Sequence, residues 1–99
     1  MGMDWEVLFS KKVAKQIHGL PREAQRAVRF LAEDLRTGLS APQWPNFGKL
    51  RQGKDCYHCH LRKGRPTYVA VWRVRDQKAK QIEVLYVGTH EGVDYRRLC

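Results

Sequence analysis

Between Tyr68 and Trp72 every side chain is apolar (Tyr-Val-Ala-Val-Trp), and the strand-like character continues to Val74. The run is far short of the ~20 apolar residues of a membrane-spanning helix. A short run that is apolar on both faces and bounded by turn signals reads as a strand buried on both sides, and therefore central in a sheet. Such a strand obliges the rest of the chain to supply flanking strands and a covering layer.

The flanking strands are legible on either side. One runs from about Asp55 to Arg62, the central one from Thr67 to Arg75, and the third from Ile82 to Gly88. Gly64-Arg65-Pro66 marks one turn and Asp76 to Lys80 the other. Connections this short favour antiparallel neighbours. The covering layer comes from the first forty residues. Trp5 to Phe9 reads as a short strand, and Ser10 as the N-cap of a helix with apolar positions Val13, Ile17 and Leu20. Gly19 and Pro21 interrupt it, and Pro21 suits the first turn of a second helix. In that helix Ala24, Ala27, Val28, Leu31 and Leu35 form one stripe, and Gly38 ends it. Arg22, Arg26, Arg29 and Arg36 fall mostly on the opposite side, as a solvated basic face or a docking surface for an acidic partner or RNA. Residues 39–48 carry two prolines and no periodicity, and read as a loop. The expected architecture is α+β, in the order β-α-α-β-β-β. An N-terminal strand and a two-helix hairpin pack on an antiparallel sheet, in a single domain over residues 1–99.

Composition narrows the partners. The formal net charge is +9, from 19 Lys+Arg against 10 Asp+Glu, with a sequence pI of about 9.9. A balance this basic points to a polyanionic partner. Charged and polar residues interrupt the first twenty positions, so no secretory signal is expected. Cys56, Cys59 and Cys99 are an odd number and too few for a disulfide framework, which fits a reducing, cytoplasmic setting.

Three of the four histidines, His58, His60 and His90, lie in two short segments, Tyr57-His58-Cys59-His60-Leu61-Arg62 and Gly88-Thr89-His90. Strand alternation puts Tyr57, Cys59 and Leu61 on one face and His58, His60 and Arg62 on the other. The apolar set meets the helices; the polar set looks away from them, sheltered by the sheet. Histidines beside an excess of arginine and lysine point to acid–base chemistry on a phosphodiester. Isolated strand histidines are more often plain surface residues, but a pair at i and i+2 with a third at the end of a nearby strand is harder to read that way. His18, near the end of the first helix, complements the helix dipole and is given no function. Zinc is disfavoured at Cys56-x-x-Cys59, because alternation points Cys59 away from Cys56, His58 and His60. Cys59 reads instead as a small core residue.

Lys49-Leu50-Arg51 followed by Asp55-Cys56-Tyr57 resembles a "KLR … DCY" pattern of the RelE/ParE superfamily of bacterial toxins from type II toxin–antitoxin systems. Gly88-Thr89-His90 resembles the "GTH" of the YafQ branch, whose histidine is catalytic. His60 falls where that branch has another catalytic histidine and RelE a lysine, and His58 falls at a second RelE lysine. The resemblance covers nearly the whole chain. It implies a metal-independent, ribosome-dependent mRNA endoribonuclease without cofactor, inhibiting translation, held by a cognate antitoxin in a hetero-oligomer. In that reading the 2′-hydroxyl attacks the adjacent phosphate, leaving a 2′,3′-cyclic phosphate and a 5′-hydroxyl. His60 is the candidate base and His90 the candidate acid or phosphate ligand, with the two labels exchangeable. His58 and Arg65 complete the candidate catalytic set, and Lys49, Arg51, Arg62, Lys63 and Tyr95 the substrate-binding set. The chain departs from the YafQ pattern at Lys63-Gly64-Arg65-Pro66-Thr67, where that branch has an aspartate. RelE's arginine near the start of the next strand has Thr67 or Val69 in its place, and Arg65 is the cation the turn offers instead. Tyr95 lies near RelE's late tyrosine with a one-residue gap. Two other readings compete: a ParE-like DNA gyrase inhibitor, and a non-catalytic homologue that binds RNA or antitoxin. Trp44 and Phe47 read as loop packing in preference to base-stacking platforms.

Overall fold

A computed structural model describes residues 4–38 and 43–99. Strand β1 (Glu6–Phe9) leads into α1 (Lys11–His18) and α2 (Arg22–Thr37). Then come β2 (Gly48–Lys49), β3 (Cys56–Arg62), β4 (Tyr68–Asp76), β5 (Gln81–Thr89) and a single turn of helix, α3 (Tyr95–Leu98). The strands form one sheet in the order β1-β5-β4-β3-β2, antiparallel except that β1 runs parallel to β5. The α+β architecture and the central place of the doubly apolar strand are as the sequence implies. The two-residue strand β2, which begins at the last residue of the expected loop, and α3 are additions; residues 39–42 of that loop lie outside the described residues.

Local chemistry explains the helical layer. The Ser10 hydroxyl accepts the Val13 N–H at 3.1 Å, closing the first turn of α1. Pro21 stands one residue earlier than expected, as the residue before α2, and gives no side-chain cap. The Gln25 side-chain amide fixes the corner, its nitrogen lying 3.1–3.2 Å from the carbonyl oxygens of Ile17, His18 and Leu20 at the end of α1 and in the turn after it. Ala24, Val28, Leu31 and Leu35 are the buried stripe of α2. With Val13 they cover Cys59, Leu61, Ala70, Trp72, Ile82, Val84 and Val87 of the sheet. Trp44 and Phe47 belong to this layer: the indole N–H donates to Asp34 at 2.7 Å, and Phe47 stacks on Tyr57 and Trp72.

The opposite face carries a second, smaller core of Leu50, Cys56 and Val71, covered by Leu85, Tyr86, Val93, Tyr95, Leu98 and Cys99. A disulfide joins Cys56 of β3 to Cys99, 43 residues apart. The cysteine count argued against a disulfide framework, but spacing cannot show that the chain after β5 folds back beneath β3. Cys59, 0% exposed, is free and lies in the helix-side core, where burial pushes its thiol up to about 12. Cys56 and Cys59 therefore do not converge. No helix among the described residues is long and apolar enough to cross a membrane.

Closing a loop of this length removes about 4 kcal/mol of chain entropy from the unfolded state by the loop-length relation. In non-reducing buffer Cys99→Ser should therefore lose about 2–4 kcal/mol of stability, read from urea unfolding, and reductant should bring the wild type to the same midpoint. Equal midpoints for variant and wild type without reductant would contradict the disulfide's structural role.

Candidate functional site

Two cross-strand rows organise the face away from α1 and α2. His58 of β3 stands opposite Val71 of β4, which stands opposite Tyr86 of β5. In the next row His60 pairs with Val69, and Val69 with Gly88. Neither histidine is on a free edge: His58 is flanked by Gly48 of β2, and the His60 N–H donates to the Pro45 carbonyl at 2.7 Å. On the far side the His90 N–H donates to the Thr67 carbonyl at 2.8 Å, holding the segment after β5 against the turn before β4. That turn is closed by Thr67, whose hydroxyl donates to the Gly64 carbonyl at 3.0 Å.

These anchors produce an open cleft of about 660 Å³, lined by His60, Gly64, Arg65, Pro66, Thr67, His90 and Glu91. The volume is in the range of sites that take small ligands. The His60 and His90 rings meet edge to face, their centroids 5.5 Å apart. His58 lies one row deeper, its ring 5.6 Å from that of Tyr95, which α3 presents from below.

Electrostatics separates these rings. Burial, then His60 and His90, lowers the pKa of His58 below its ordinary 6.5. Burial, then His90 and Lys63, does the same for His60. The Nδ1 atoms of both are enclosed and lack a hydrogen-bond partner. A protonated imidazole offers two N–H donors, so the enclosed atom would leave one unpaired beside a desolvated charge; the neutral ring is favoured. Burial, then Tyr86, raises the Tyr95 hydroxyl pKa above its ordinary value.

The remaining sequence candidates scatter. Arg62 does not share the histidine face. A β-bulge between His60 and Arg62 shifts the register, so Arg62 stands opposite Tyr68, on the helix side, and forms an ion pair with Glu23 of α2. Lys49 lies opposite Tyr57 and within 4.0 Å of Asp55, outside the cleft. Arg51 is exposed in the turn after β2. Lys63 is near enough to act on His60 without lining the cleft. Glu91 and Tyr86 were not singled out in the sequence. Simple alternation from Ile82 and Val84 would have put Tyr86 among the helices.

No family model and no curated protein matches the chain. Among solved structures, a double arginine-to-alanine mutant of the Escherichia coli toxin RelE in its free state superposes with a TM-score of 0.76, over 97% of this chain and 94% of that one, at 20% identity. The chain has a RelE-like fold. At that identity the RelE likeness carries the path of the backbone, and the side chains of the cleft must speak for the chemistry.

The lowered histidine pKa values have a consequence for stability. Folding favours the neutral rings, so their contribution is complete above pH 6.5 and is lost as the pH falls below it, where the unfolded chain takes up protons first. Unfolding midpoints measured from pH 7.5 down to 5 should fall, and the fall should be shallower in His58→Phe. The same slope in both proteins would place the proton uptake elsewhere.

Proposed function

We propose that this RelE-like chain is the toxin of a toxin–antitoxin pair and acts as an endoribonuclease on mRNA, using the ribosome to present its substrate. The supporting observation is the edge-to-face pair of His60 and His90 on one cleft with Arg65, where His60 is kept neutral. Cleavage by the neighbouring 2′-hydroxyl needs a base at the 2′-oxygen, an acid at the 5′-oxygen and a cation for the charge that builds on phosphorus oxygens.

His60, unprotonated at neutral pH, takes the proton of the 2′-hydroxyl. The 2′-oxygen bonds to phosphorus and the bond to the 5′-oxygen breaks. His90, at the exposed rim, is the acid that gives a proton to that departing oxygen. The products are a 2′,3′-cyclic phosphate and a 5′-hydroxyl. Arg65, carried into the cleft by the braced turn, neutralises the non-bridging oxygens. His58 lies behind His60 and Tyr95 behind His58, so both act by shaping the base's surroundings. Lys63 attracts RNA phosphate without reading sequence. The net charge of +9 suits both RNA and an acidic antitoxin.

Mapping mRNA 5′ ends in a cell-free translation reaction tests the reading. The wild type should make cuts within codons during translation, and His60→Ala and His90→Ala should each lose about 10²–10⁴-fold in rate. Arg65→Ala should lose about 10²-fold, with partial recovery in Arg65→Lys. The acid limb of the wild-type rate should lie below pH 6.5, since that is the direction in which His60 is shifted. Intact mRNA in the presence of wild-type protein would overturn the proposal.

A further inference from the structure

Tyr86 is a tyrosine on the histidine face that the acid–base scheme does not use. It arrives there through a β-bulge. Val71 of β4 pairs with Tyr86 but the next residue, Trp72, pairs with Val84, so Leu85 has no opposite number. Leu85 and Tyr86 consequently both turn to the small core, and Val87 returns to the helix side. From that position the Tyr86 hydroxyl donates to the Thr89 carbonyl at 2.9 Å.

The ring lies along the strand over Gly88, the glycine of the His60–Val69–Gly88 row. A Cβ built on Gly88 would come within 2.6 Å of the Tyr86 hydroxyl oxygen and 2.8 Å of its ring carbon, contacts that cannot be accommodated without movement. A Cβ on Gly92 would stand 3.0 Å from the same hydroxyl. The segment after β5 is thus wrapped around one phenol. It closes on itself through Thr89, whose carbonyl and hydroxyl accept the Gly92 N–H at 3.2 and 3.1 Å. This turn presents His90, with Glu91 beside it, to the cleft.

We propose that Tyr86 is the positioning residue for His90: its hydroxyl fixes the Thr89 carbonyl, and through it the His90 ring across from His60. The proposal deepens the nuclease reading and rests on it for its catalytic meaning, although the geometric claim is separable. Thr67 holds the His90 N–H from one side and Tyr86 holds the preceding carbonyl from the other. With both in place the peptide between Thr89 and His90 is pinned at each end. Loss of the hydroxyl leaves the Thr89 carbonyl with only the Gly92 N–H from within its own turn, and the ring stays in the small core.

Tyr86→Phe, compared with wild type, separates the two claims. The His90 ring signal in the NMR spectrum at fixed pH should move and broaden, with faster exchange of the His90 and Gly92 amides, while the signal of His18 on α1 stays in place. In single-turnover mRNA cleavage the rate should fall about 10–100-fold with half-saturation unchanged, as expected when a catalytic group is displaced by a fraction of a bond length and substrate contacts persist. His90 signals and amide exchange matching the wild type would overturn the proposal, whatever the cleavage rate. Should the wild type fail to cleave at all, the nuclease reading falls, and the NMR comparison still decides whether Tyr86 holds His90.

Discussion

Strand β4 carries Val69, Ala70, Val71 and Trp72 with no solvent exposure, so both faces of the sheet must be covered at its middle. On one side that demand is met by α1 and α2. On the other it is met by a thinner layer, in which α3 and the disulfide from Cys99 to Cys56 lie over Val71. The cleft opens where this second layer stops, one row beyond Val71, at Val69. The apolar middle of β4 thus sets where the polar chemistry can stand: beside a buried floor, with the Nδ1 atoms of His58 and His60 enclosed.

Two irregularities in strand pairing then decide which side chains reach that floor. The bulge after His60 turns Arg62 to the helices, where it meets Glu23 in place of an RNA phosphate. The bulge at Leu85 brings Tyr86 to the histidine face. Each adds one residue to a strand, and one residue reverses the face of everything that follows until the next correction. Arg65, from the turn, lines the cleft that Arg62 was expected to serve.

The charge of the molecule and the charge of the two inner histidines are set by different physics. The chain carries a large positive excess, and much of it is exposed on α2 and in the turns. Within the site, burial first and then neighbouring cationic groups lower the pKa values of His58 and His60 and favour their neutral forms. Long-range attraction of a polyanion and a neutral base in the cleft are compatible because the first acts through solvent and the second is set by local desolvation.

Periodicity and turn chemistry were enough to read the helix pair, the three long strands, the central place of β4 and the face shared by His58 and His60, because each depends on near neighbours in sequence. The pairing of His60 with His90 was anticipated by resemblance, and its geometry came only with the fold. Other features lay beyond sequence because they depend on contacts between distant segments. Strand β2 exists only by pairing with β3, and α3 only by docking under it. The Cys56–Cys99 bond needs the return of the chain across 43 residues. The faces of Arg62 and Tyr86 depend on bulges, which strand alternation does not announce. The amino-acid order determined the layers and the chemistry available; the tertiary structure decided which of those groups stand together, since a one-residue slip in pairing costs little in pattern and changes every partner.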